Sequence, residues 1–173
     1  LIILFHFTSI MQDIAERKAE YGNITEIQNR TNFIIVQPSY IPAGHNLTDI
    51  HSPKDKQGNF VDLCYSYKEK DQTFGFCLSE ELVEAEPDLL HDFPYTKTLT
   101  INGNTATFDD EGPYKNIRLR WYSKTLNLLF FLQTGTNGGL NKSELIKIAE
   151  SVPGEEIIDI SQYYNRSSSH FKI

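Results

Sequence analysis

Between residues 61 and 78, apolar side chains fall on every second position: Val61, Leu63, Tyr65 and Tyr67, then Phe74, Phe76 and Leu78. A period of two is the mark of a strand with one buried face. Two such runs in succession predict an antiparallel hairpin. Pairing Leu63 with Leu78, Tyr65 with Phe76 and Tyr67 with Phe74 gathers the large side chains onto one face. A slip of one residue would turn the rings toward polar neighbours, so the alternation itself specifies the register. That register sets Cys64 directly opposite Cys77 on the other face. Cross-strand Cβ atoms lie about 4.5–5.5 Å apart, slightly long for a disulfide but within reach of a small adjustment. Cys64 and Cys77 are therefore a candidate disulfide, with two free thiols as the alternative. No paired Cys/His spacing accompanies them, so no metal site is expected there.

Three further stretches extend the β pattern. Residues 33–36 are β-branched or aromatic and read as a short strand. They run into Pro38-Ser39-Tyr40-Ile41-Pro42-Ala43-Gly44, where two prolines and a glycine force an extended turn. Residues 47–51 read as a second strand. Residues 98–101 and 105–108 flank Asn102-Gly103-Asn104, a strong hairpin turn signal. Residues 117–122 and 126–133 flank Ser123-Lys124-Thr125, with Leu119 expected opposite Phe130 and Trp121 opposite Leu128. The last strand is apolar on both faces, which predicts a central place in the sheet. Residues 80–92, rich in carboxylates and broken by Pro87, read as an exposed acidic loop.

A C-terminal helix is expected to cover the sheet. Asn141 is its N-cap, Glu144 stands in the capping-box position, and Leu145, Ile148, Ala149 and Val152 form the inward stripe. The fold class expected is α+β: an antiparallel sheet built from hairpins, a C-terminal helix packed on it, and an N-terminal connector helix. That connector spans about residues 9–21 and stops at Gly22-Asn23. Before it, residues 1–7 are apolar except for His6, far short of the ~20 residues of a membrane helix. We read them as the remnant of a membrane or signal segment, with a buried N-terminal strand or first helical turn as the alternative. The organisation expected is this remnant, a connector and linker over 8–30, a single domain over 31–153, and an apolar segment and tail over 154–173.

A chain of 173 residues suits one domain. Its 16 basic against 23 acidic residues leave a net charge of −7, and a nucleic-acid binder needs a basic stripe that is missing here. The closest basic pairing, Arg118 with Arg120, reads as strand charges facing solvent. No nucleic-acid partner is expected.

The strand running into Pro38-Ser39-Tyr40-Ile41-Pro42-Ala43-Gly44, the Tyr-rich hairpin, Asn102-Gly103-Asn104-Thr105-Ala106, the Arg120-Trp121 strand and the closing helix over 140–152 occur in a recognisable order. In this order they resemble the bacterial, mainly Firmicute, domain of unknown function 4367 family over about residues 33–152. Two positions depart from its usual pattern, Ala43 and His45. The resemblance implies a domain outside the membrane of a Gram-positive cell, anchored by a single helix or as a lipoprotein. It also implies a sensory or regulatory role in the manner of an anti-sigma factor. It transfers no catalytic residues.

Three constellations carry residue types suited to chemistry. His45, Asp49 and His51 would share one face of a regular strand, and a surface metal site is conceivable there, but no fourth ligand is evident. Asp109, Asp110 and Glu111 cluster carboxylates that a hard cation accepts, without the alternating spacing of a calcium loop. The Gly-rich stretch over 134–139 precedes a helix but lacks the Lys-Ser/Thr pair of a phosphate loop. No nucleophile, zinc-protease or phosphate-loop motif is found. The sequence therefore supports no catalytic residue, no cofactor and no metal ligand. It supports a binding or sensing module with an unknown protein or small-ligand partner outside the membrane. The alternative is a lipoprotein-type carrier holding a lipid or peptide in an aromatic-lined groove, and an enzyme of unknown type is third.

Overall fold

The computed structural model describes residues 22–53, 56–69, 72–89, 97–110, 117–134 and 139–154. Among them are two helices, α1 (Ile24–Gln28) and α2 (Lys142–Glu150). The strands are β1 (Asn46–His51), β2 (Phe60–Glu69), β3 (Gln72–Leu82), β4 (Lys97–Ile101), β5 (Asn104–Asp109), β6 (Arg118–Ser123) and β7 (Leu128–Thr134). All seven strands join one antiparallel sheet in the order β1-β2-β3-β7-β6-β5-β4. Two meanders thus meet along β3 and β7. The doubly apolar β7 lies fourth of seven, with Leu128, Phe130 and Leu132 buried and Leu129 and Phe131 half-buried on the opposite face.

The core occupies one face. Val61, Leu63, Tyr65, Phe76 and Leu78 continue across Phe130 and Leu132 to Trp121, Leu119, Phe108 and Ala106. Leu145, Ile148, Ala149 and Val152 of α2 and its C-terminal turn join this core. The N-cap of α2 is a full capping box: the Glu144 amide donates to Asn141 Oδ1 and the Asn141 amide to Glu144 Oε2, both at 3.1 Å. Helix and sheet are therefore where the hydrophobic pattern and the cap chemistry direct them. The β2–β3 register opposes Leu63 to Leu78, Tyr65 to Phe76 and Tyr67 to Phe74, with both ring pairs stacked.

Five local expectations are corrected. Residues 33–36 form no strand. Their amides bond to side chains instead, Ile35 to Gln28 Oε1 at 2.9 Å and Val36 to Glu80 Oε2 at 3.2 Å, so Ile35 and Val36 lie in the core on an irregular strap. Residues 24–28, expected as linker, form α1, capped by the box of Asn23 and Glu26; the helix expected over 9–21 lies outside the described residues. Glu80, Glu81 and Leu82 are not an acidic loop but the end of β3. The β6–β7 pairing sets Leu119 opposite Leu132 and Trp121 opposite Phe130, two residues from the expected register. A shift by two leaves every side chain on its face, so alternation cannot detect it. The four-residue turn decides it, with Asn127 taking the left-handed conformation at φ 54°. The fifth correction concerns β1 and the site.

Candidate functional site

Strand β1 carries a bulge between Leu47 and Asp49. The extra residue, Thr48, reverses the alternation. Leu47 and Ile50 face the core, while Asp49 and His51 face the other side of the sheet. His45 precedes the bulge and turns inward: it is 8% exposed and lies edge-on to Tyr67, with ring centroids 4.7 Å apart, beside Phe76. His45, Asp49 and His51 therefore do not share a face. Among the described residues no group of three or more His, Cys, Asp or Glu is placed to hold a metal ion.

On the face away from the core, register builds a polar row across three strands. His51 opposes Asp62, and Asp62 opposes Ser79. The His51 imidazole Nδ1 lies 3.8 Å from Asp62 Oδ2. Burial raises the Asp62 carboxyl above its ordinary range, and the Ser79 hydrogen bond and the neighbouring imidazole pull it partly back. Cys64 and Cys77 lie next along the same face and are joined as a disulfide. The order of the row limits its chemistry. A nucleophilic triad sets the imidazole between hydroxyl and carboxylate, whereas here the carboxylate lies between the other two. The carboxylate contacts both the imidazole and the hydroxyl.

Farther along the face, Arg118 Nη2 donates to Asp109 Oδ2 at 2.8 Å, and the Arg120 guanidinium lies over the Phe131 ring at 4.8 Å. The two arginines expected as plain solvent charges are thus drawn into specific contacts. The carboxylates at 109 and 110 separate, Asp109 to Arg118 and Asp110 to Lys97 at 3.1 Å; Glu111 lies outside the described residues. Of the Gly-rich stretch, Thr134 ends β7 and Gly139, at φ 61°, packs near Phe74 and the Tyr67 hydroxyl. An open cleft of about 380 Å³ is lined by Glu86, Asp88, Leu89, Tyr122 and Lys124 beside the β4–β5 turn. Its charges already pair, Lys124 with Glu86 at 3.0 Å, and it lacks the mostly apolar lining of a small-molecule site.

The core face holds what the sequence reading passed over. Glu80 follows Phe76 and Leu78 in the same alternation and opposes Val61 on β2 and Phe130 on β7. Its side chain is fully buried. Oε2 accepts from the Val36 amide, and Oε1 has no hydrogen-bond partner. Burial drives this carboxyl well above the ordinary range, and the single amide donor offsets only part of that. The Tyr65 hydroxyl is likewise buried without a partner. Burial and then the nearby Glu80 carboxyl push it upward. The available signal was the parity of position 80, which the acidic composition of the following residues masked.

No family model, no curated protein and no solved structure was found to match the chain. No helix among the described residues is long and apolar enough to cross a membrane; the apolar residues 1–7 lie outside them.

Proposed function

We propose that this chain is an extracytoplasmic interaction or sensing domain of a membrane-anchored regulator, in the manner of the outer part of an anti-sigma factor. The observation that carries this reading is the Cys64–Cys77 disulfide, since such bonds persist in oxidising compartments and are rare in the cytosol. The motif order over residues 33–152 points the same way. The polar row weighs against a hydrolase, because its carboxylate separates imidazole from hydroxyl. The carrier reading is weaker because Tyr65 and Phe76 stack on each other inside the core, both nearly inaccessible.

The test places an epitope in the exposed turn at Lys124 and Thr125 of the full-length protein in its host. The expected result is antibody labelling of intact cells, with altered transcript levels for a defined gene set when residues 31–153 are removed. Labelling only after lysis would overturn the location. Unchanged transcripts together with lipid co-purifying with the protein would replace the regulatory reading by the carrier.

A further inference from the structure

The strap over residues 33–41 is the part of the core's cover that lacks a ladder of its own. It is tied at three places. Near its start, the Ile35 amide reaches Gln28. At its far end, the Ser39 amide and hydroxyl both donate to the Ser151 carbonyl, and the Tyr40 amide donates to Ser151 Oγ at 3.0 Å, at the C-cap of α2. Between these, the Val36 amide donates to Glu80 of β3. Ile35 and Val36 are buried, and Phe33 and Ile41 pack against the core's edge.

We propose that Glu80 is a proton-dependent latch that holds the strap on the sheet when neutral and releases it when ionised. The surroundings of the carboxyl supply the reason. Its neighbours on the same face are Leu78 and Leu82 on β3, Val61 and Leu63 on β2, and Leu128, Phe130 and Leu132 on β7. From the strap, the Val36 amide donates to it, and Ile35 and Val36 belong to the same hydrophobic core as Ile27 of α1 and Leu145, Ile148 and Ala149 of α2. Among the described residues, the ionisable group that shares its electrostatics is Tyr65, whose hydroxyl adds no positive charge; the other titratable side chain buried on this face, His45, packs against Tyr67 and Phe76. A carboxylate in this setting has one amide donor and no cation among these groups. That donor offsets less than the desolvation of a buried ion takes away. The closed state therefore favours the acid form. Ionisation requires water at Oε1, and the cover that yields most easily is the strap, whose amides at 35, 36 and 40 hang on side chains rather than on a strand. The Tyr65 hydroxyl, which feels the same carboxyl, is likewise buried without a partner. The latch stands on core geometry and holds wherever the chain resides.

The experiment uses the full 173-residue chain. The Glu80 carboxyl carbon is titrated by NMR, and protection of the Val36 amide, corrected for its intrinsic exchange rate, is followed over the same pH range. The expected result is a Glu80 titration displaced upward from the ordinary carboxylate range. Val36 opening should rise by about tenfold per pH unit between the open-state and closed-state values, while the Leu78 and Phe130 amides keep their protection. In Glu80→Gln the pH dependence should vanish; in Glu81→Gln, on the opposite face of the same strand, it should persist. Titration of Glu80 in the ordinary range, pH-independent opening of Val36, or parallel loss of protection at Leu78 and Phe130 would each overturn the latch. If Glu80→Gln does not fold, the wild-type titration and protection data decide the matter by themselves.

Discussion

A carboxyl group with no exposed surface must be neutral or matched by positive charge, and Glu80 has no such match among its described neighbours. The consequence for stability has a definite sign. The folded-state carboxyl sits above its unfolded value, so its contribution is fully present below the ordinary carboxylate range. It is lost as pH rises toward the folded value, at up to about 1.4 kcal/mol per pH unit. Urea midpoints of wild type and Glu80→Gln should therefore diverge as pH increases from acid to neutral, with the glutamine variant the more stable at neutral pH. Asp62 is raised as well and acts in the same direction, more weakly because its side chain is one quarter exposed. Parallel curves would show that Glu80 ionises normally in the fold. At the same scale, replacing both Cys64 and Cys77 by Ala should lower stability by about 3 kcal/mol, the loop-closure value for a bridge of this short span. Calorimetry of the oxidised and variant chains would check it.

Local elements were legible where a chemical signature accompanied the hydrophobic pattern. The cap at Asn141 and Glu144, the Asn102-Gly103 turn and the ring-paired β2–β3 hairpin each joined periodicity to a residue with a single good role. Asn102 and Gly103 both take positive φ, 48° and 80°, as a two-residue hairpin turn requires. The misreadings fell where periodicity stood alone. The β6–β7 register was ambiguous by two because only the turn distinguishes the alternatives. The β1 bulge broke a parity argument that assumed a regular strand, and residues 33–36 have strand composition but pair with no strand among the described residues. Asn141→Ala should cost about 1 kcal/mol, read as a lower thermal midpoint with the sheet intact. Gly58→Ala should cost more, since φ is 80° and an added Cβ would press on the Arg30 carbonyl. A thermal midpoint unchanged by Gly58→Ala would contradict the packing described between the 56–59 turn and the end of α1.

At the scale of the whole molecule, the doubly apolar β7 announced its central place, but not its neighbour β3. That pairing joins Phe76 to Thr134 and Leu82 to Leu128 across a long stretch of chain, beyond the reach of local pattern. The site was less legible than the fold. The polar row of His51, Asp62 and Ser79 exists only after β1, β2 and β3 are in register, and Glu80 is unusual only once its face is known. What remained readable was the pairing of two cysteines across one hairpin, and on it rests the proposal that the domain works outside the cytosol. The most direct test is to alkylate the protein in intact host cells before lysis and weigh it with and without reduction. The account expects no label on Cys64 or Cys77 until the protein is reduced, and two labels afterwards. Two labels without reduction would contradict it.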